Sequence, residues 1–399
     1  MAGLKGSVRL VVWIVLVYCV LEVGFRLYRF ERLKSEYGQK THYGFSTFRD
    51  RMYVLDEQTG YAYVPNSRNR CWLYDRDNNL LPHSSSVVTN DFGMISPNPA
   101  ALDKPKDEFR IAILGDSFCA TTTSDVTWPA ALENVLNGDE DLKRRTGKSV
   151  FKVLNFGLDG TGIVQWPSVY RQKAAKFNPD LVVVNFIGDD IYRKFIYRST
   201  LTVAGDDRGM FSCTSLPADI GNRNCQNGMS FVIDPTKDDY KQRAQRIKGE
   251  IYQALARRLP WFSFYPELLA RVLGDRFGLR SRLDIVPLPN PHYATPEEAV
   301  GVSLNALREI SSLHPRMAVL FHPTVQQCLS KTTPPVVTQL IDKATGVKII
   351  NMLNALPANA GQDEIGRWYN LPYDAHPSSY GAQVYAQAAE GQLKPVISE

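Results

Sequence analysis

From Phe109 onward the chain repeats one pattern, a short apolar run followed by a longer stretch with helical spacing. The runs are Ile111–Leu114, Val150–Phe156, Leu181–Phe186, Met317–Phe321 and Val347–Ile350. Helical stretches follow Thr127, begin at about Gly162, cover 296–313 and about 334–344, and resume at about Ser379. Short, predominantly apolar runs suit strands covered on both faces, and strands that alternate with helices build parallel sheets, because each crossover must travel the length of the sheet. Five such strands predict an α/β fold, a flavodoxin-like doubly wound parallel sheet.

The alternation is interrupted over roughly 192–295, too long for a crossover. This interval contains amphipathic stretches at Tyr240–Leu259 and Tyr265–Leu273. It reads as a helical insertion, serving as a lid or a partner surface over the site. Upstream, residues 51–100 carry short β-prone pieces (Tyr61–Val64, Cys71–Tyr74, Ser86–Val88) separated by Pro, Asn, Asp and Gly, the pattern of a small β meander. Residues 30–50 suit a juxtamembrane helix or linker.

The N-terminus carries a different signal. Leu10–Phe25 is apolar except for Glu22 and follows Lys5 and Arg9. As a helix it spans about 24 Å, slightly less than a bilayer's hydrocarbon core, so the flanking side chains would snorkel. The following segment, Arg26–Lys34, offers no small-x-small cleavage site, which favours an uncleaved signal anchor over a removed signal peptide. Arg26, Arg29, Arg32 and Lys34 outnumber the basic residues before the span, and the positive-inside rule alone would place this flank in the cytoplasm. The short basic N-terminal region and the pair Cys213 and Cys225, which suits an oxidising compartment, point the other way, to an extracytoplasmic (periplasmic) domain.

A formal net charge of +5, spread along 399 residues, gives no stripe of the kind that binds nucleic acid. The six cysteines show no spacing of a zinc site. Cys119 lies close enough to the first motif to be weighed as a thiol nucleophile, against the commoner role of a small packed residue.

In a parallel sheet the loops at the carboxyl ends of the strands converge on one edge. Ser117, within Gly115-Asp116-Ser117-Phe118, follows the first strand. Gly157 and Gly160 follow the second, Gly188-Asp189-Asp190 follow the third, and Asp374 and His376 precede the last helix. GDSF alone is an ordinary turn into a helix N-terminus. The joint order of strand-GDSF, strand-NxGxxG, strand-GDD and a late DxH is far less accidental.

In these blocks the chain resembles the SGNH (GDSL) hydrolase superfamily, over about 109–190 and 296–390, as a membrane-anchored bacterial-type member. The lead-in Thr89-Asn90-Asp91-Phe92-Gly93 also resembles anchored members. The resulting organisation is a membrane anchor over 1–30, a juxtamembrane linker and small β region over 31–105, and an SGNH hydrolase domain over 106–395 with the insertion at about 192–295. The resemblance implies that Ser117 is the nucleophile, that His376 is the base and Asp374 its acid partner, and that the oxyanion is bound by the Ser117 amide, by Gly160 and at the position held here by Asp189. A serine hydroxyl needs a base to take its proton, and imidazole can do so near neutrality, without a cofactor or metal.

Two positions depart from the family pattern. The family's usual DxxH is shortened to DxH, because the residue three before His376 is Tyr373. Asp189 stands where the family has an oxyanion-donating asparagine; an ionised carboxylate about 4 Å from an oxyanion would repel it by roughly 4 kcal/mol at an effective dielectric of about 20, on the order of 1,000-fold in rate. Asp189 must therefore be protonated or point elsewhere. Trp128 and Trp166 lie near the motif loops, where they either pack or stack on a sugar; His314 and His322, each before a proline, read as structural. The expected activity is hydrolysis or transfer of an acyl group, O-acetyl foremost, of a carbohydrate or glycolipid through an acyl-Ser117 ester. A catalytically silent, membrane-tethered binding or assembly protein is the alternative.

Overall fold

The computed structural model describes residues 2–38, 45–75, 77, 79–202, 208–213, 225–236, 239–243, 245–246 and 292–399. Five strands form the expected sheet: β6 (Glu108–Gly115), β7 (Val150–Gly157), β8 (Leu181–Phe186), β12 (Met317–Phe321) and β13 (Ile349–Asn351), every pair parallel. Their order is β13-β12-β8-β6-β7. This is the flavodoxin-like order, with its switch point at β6, where the chain winds first to β7 and then back across to β8.

Strand alternation divides the side chains between two cores. Phe109, Ile111 and Ile113 of β6 join one core, with Leu132 of the helix Trp128–Gly138 and Tyr385 and Ala386 of the helix Ser379–Ser398. Ala112 and Leu114 face the other, with Val169 of the helix Trp166–Gln172 and Leu304 and Leu307 of the helix Pro296–Leu313. Both faces are covered, which is why the strand sequences are apolar without a polar face. Sequence-derived boundaries differ little from these, except that the first strand begins three residues earlier and the fifth two residues later than expected, and the stretch after Gly162 opens with a 3-10 turn, Ile163–Gln165.

The interval read as a helical insertion holds strands as well. β9 (Tyr197–Thr202), β10 (Arg208–Cys213) and β11 (Cys225–Val232) form an antiparallel set that joins β1 (Phe45–Phe48), β4 (Arg68–Tyr74) and β5 (Leu80–Val88) in a six-stranded sheet ordered β5-β4-β1-β11-β10-β9. Of the expected meander, the pieces in β4 and β5 belong to this larger sheet, which is completed by the parallel pairing of β1 with β11, whereas Tyr61–Tyr63 falls in a separate hairpin. The separate hairpin β2 (Tyr53–Asp56) and β3 (Gly60–Tyr63) packs beside β9. Of the expected helix Tyr240–Leu259, the described residues 240–243 and 245–246 are helical; its remainder and Tyr265–Leu273 lie outside the described residues. Cys213 and Cys225 are cross-strand partners in the β10–β11 pairing, and their side chains lie outside what is described.

At the N-terminus a single helix, Ala2–Gly38, includes Val8–Tyr28, 21 residues of mean hydropathy 2.2, long and apolar enough to cross a membrane. Val8 to Val17 are broadly exposed along this helix, so the rest of the molecule does not cover the apolar surface.

Candidate active site

The strand β6 ends at Gly115 and the chain turns at once into the one-turn helix Ser117–Ala120. Asp116 caps it: its carboxylate accepts a hydrogen bond from the Phe118 amide at 2.8 Å. The turn fits only because neighbouring residues are small, since a Cβ on Gly115 would lie 2.4 Å from the Cys119 sulfur and one on Gly157 2.6 Å from the Cys119 Cβ. Cys119 is therefore a packed residue. It is fully buried, accepts a hydrogen bond from Asn185 at 3.3 Å, and burial pushes its thiol pKa well up, which removes the thiolate a nucleophile needs.

Ser117, His376 and Asp374 meet, although 259 positions separate the serine from the histidine. His376 Nε2 lies 2.8 Å from Ser117 Oγ, while its Nδ1 lies 2.8 and 2.9 Å from the two carboxylate oxygens of Asp374. The shortened DxH spacing works because the segment is a tight turn: the Asn370 amide donates to the His376 carbonyl, and the Asp374 amide donates back to the Asn370 carbonyl, both at 2.9 Å. The loop after Ser117 pins this turn. Thr123 donates its hydroxyl to Asp374, Ser124 donates to the Pro377 carbonyl, and the Asn370 side-chain amide donates to Ser124.

The charges reinforce this order. Asp374 is 3 % exposed, and burial alone would raise its pKa, yet His376 and the hydrogen bond from Thr123 hold it below the usual carboxylate range. For His376 burial works to lower the pKa, but the charge of Asp374 and its hydrogen bond, aided by Asp116 and Asp159, raise it to about 9.

Gly160 has φ +73, a backbone that side chains rarely adopt, and it lines a cavity of about 180 Å³ together with Ser117 and His376. Asp189 is exposed and lies outside that lining. The acidic side chain buried at the same turn is its neighbour Asp190, which accepts from the Ile187 amide at 2.9 Å and from Arg193. Adjacent residues of a 3-10 turn point in different directions, so holding Asp190 inward carries Asp189 to solvent.

Arg193, which carries no motif signal, joins all three loops. Its guanidinium donates to Asp116 at 3.0 Å, to the Thr161 carbonyl at 3.1 Å and to Asp190. Both carboxylates are fully buried; burial and the nearby Asp116 raise the Asp190 pKa, and Arg193 counters them. Thr123 and Asn370 were likewise invisible as single residues, although the Ser/Thr-rich run after Ser117 was a faint sign of a hydrogen-bonded loop.

Trp128, Trp166, His314 and His322 pack within the fold. Trp128 and Trp166 are fully buried, the first against Tyr385 and the second donating to Thr161 at 3.0 Å. His314 bonds the carbonyls of Arg316 and Pro179, and His322 stacks on Tyr385 at 3.6 Å. Burial lowers the His322 pKa to about 3.

Among known proteins, residues 111–221 match the family model described as GDSL-like Lipase/Acylhydrolase. No curated protein matches. Similar solved structures include a lipase/acylhydrolase from Enterococcus faecalis (10% identity, TM-score 0.36, covering 72% of this chain and 96% of that one). A family 3 carbohydrate esterase from Clostridium thermocellum is also similar (10%, 0.37, 73% and 97%). So is an acetylxylan esterase from Geobacillus stearothermophilus (10%, 0.35, 72% and 96%). The matched segment runs from β6 through the loops that carry Ser117, Gly160 and Asp190, so the part of the α/β domain that holds these loops is similar to a GDSL-like lipase/acylhydrolase domain.

Proposed function

We propose that Ser117 is the nucleophile of an acyl-ester hydrolase or acyltransferase, with His376 as general base and Asp374 as the group that orients it. The observation that carries this reading is the pair of contacts made by one imidazole, 2.8 Å to the Ser117 hydroxyl and 2.8 Å to the Asp374 carboxylate. With Nδ1–H donated to Asp374, Nε2 is left to accept the serine proton as the hydroxyl oxygen attacks the ester carbonyl. The oxyanion that forms is held by the amides of Ser117 and Gly160, with Asp189 left in solvent. The same imidazolium then gives its proton to the departing alcohol, leaving an acyl-Ser117 ester. Water, or a sugar hydroxyl in a transferase, takes the acyl group with His376 again as base.

A cavity of about 180 Å³ suits a small acyl group such as acetyl better than a long chain, being below the ~300–1,000 Å³ of pockets for drug-sized ligands. We take the substrate to be an O-acetylated carbohydrate or glycolipid at an envelope membrane, with Val8–Tyr28 as the tether and the α/β domain extracytoplasmic. Protease added to cells whose outer membrane has been opened tests the sidedness: cleavage beyond Tyr28 supports it, and protection until the inner membrane is lysed refutes it. The chemistry is tested with p-nitrophenyl acetate. A Ser117-dependent burst of p-nitrophenol is expected, and activity that persists in Ser117→Ala refutes the assignment. No turnover by any preparation would favour the silent binding protein instead.

A further inference from the structure

Residue 159, between the two glycines of the second motif loop, is gripped from outside the parallel sheet. Three tyrosines of the β2–β3 hairpin hold it. Tyr53 donates its hydroxyl to Asp159 Oδ2 at 2.6 Å, Tyr61 donates to the Asp159 carbonyl, and the Asp159 amide donates to the Tyr63 hydroxyl at 3.1 Å. All three rings are at least 98 % buried and pack edge-on or tilted against one another, and the Arg198 guanidinium lies over those of Tyr53 and Tyr61, 4.8 and 5.0 Å from their centres. The hairpin therefore holds the residue beside Gly160 through three hydrogen bonds.

One atom is left out of this arrangement. Asp159 is 9 % exposed, and its buried Oδ1 has no hydrogen-bond partner among the described residues. A buried acceptor without a donor is costly and is uncommon in native structures. Asp159 also lines the cavity that holds Ser117 and His376. The residue whose oxygen lacks a donor is thus one of those lining the place where a substrate binds. A carboxylate oxygen accepts hydrogen bonds only, so the ligand must bring an O–H or N–H. An unsubstituted acyl group has none, which leaves the alcohol side of the ester.

We propose that Asp159 is a hydroxyl-recognition residue: its Oδ1 accepts a hydrogen bond from a free hydroxyl on the alcohol portion of the substrate, making the site selective for esters of polyhydroxylated alcohols over alkyl esters. This rests on the hydrolase reading above and narrows its substrate class.

The test compares glycerol monoacetate with propyl acetate, similar in size but with and without free hydroxyls, using the full chain in detergent. The ratio of their kcat/KM values is set against the ratio of their hydroxide-catalysed rates, which removes the leaving-group difference. The wild-type enzyme should prefer the glycerol ester by about 10- to 100-fold beyond that chemical ratio, as expected for a hydrogen bond to a charged acceptor. In Asp159→Asn the amide oxygen keeps the Tyr53 bond and places an NH2 group where an acceptor is required, so the excess preference should disappear. A merely structural clamp would slow both esters alike and leave the ratio unchanged. That result, or a wild-type ratio equal to the chemical one, overturns the proposal while a Ser117-dependent burst still stands; rates unaffected by Ser117→Ala would instead remove the hydrolase reading and the subsite with it.

Discussion

Replacing Asp374 by asparagine removes the charge that holds the His376 imidazole protonated while leaving its burial in place. Its pKa of about 9, against an ordinary 6.5, corresponds to about 3 kcal/mol of preference for the imidazolium, an order-of-magnitude figure for a side chain one quarter exposed. Only neutral imidazole accepts the serine proton, so at pH 7 roughly one molecule in a hundred is poised to react. The wild-type kcat/KM for p-nitrophenyl acetate should therefore rise about tenfold per pH unit through neutrality and level off near pH 9. In Asp374→Asn the inflection should move to lower pH, since burial now acts unopposed. The plateau should fall by on the order of 10³–10⁴-fold, because an amide does not hold the required tautomer. Stability runs the opposite way. The His376 contribution is fully present below about pH 6.5 and is lost as pH rises through about 9, so melting temperature should decline over that window in the wild type and much less in the variant. On the acid side, the Asp374 contribution is lost as pH falls below 3.8. An acid limb with the same midpoint in both proteins would refute the coupling.

Other substitutions probe the loops around this pair. Arg193→Met strands the buried carboxylates of Asp116 and Asp190 and should cost about 3–5 kcal/mol in urea unfolding, whereas a loss under 1 kcal/mol would show that the guanidinium is not their counter-charge. Gly160→Ala combines a φ of +73 with a Cβ only 3.0 Å from Arg198 Nη2, and kcat should drop on the order of 10- to 100-fold with a smaller change in KM; an unchanged kcat would exclude this amide from the oxyanion site. Asp189→Asn should leave kcat/KM within about twofold, as for a surface change; a large gain would instead mean that a lost donor had been restored.

The parallel sheet was legible because its strands are buried on both faces, so each appears as a predominantly apolar run, as at Val182–Val184, and the order of motifs placed Ser117 and His376 at one edge. The mixed sheet was not legible. β1 pairs with β11 across more than 180 positions, and β9 to β11 are short, rich in Ser, Thr and Gly, and lack the alternation that marks a half-buried strand. Asp189 was read from its place in a motif, yet which of two adjacent aspartates turns inward depends on where Arg193 sits, and a single arginine in a loop carries no pattern. Asp159 was hidden for the same reason: its importance lies in three tyrosines about a hundred positions away.

The most direct test of Ser117 as a covalent nucleophile is mass spectrometry of the chain quenched during turnover of p-nitrophenyl acetate. An acetyl group on the peptide bearing Ser117, accumulating in the wild type and absent from His376→Ala, is the expected result. Full turnover with that peptide unmodified, or with the acetyl group on another residue, would contradict the mechanism.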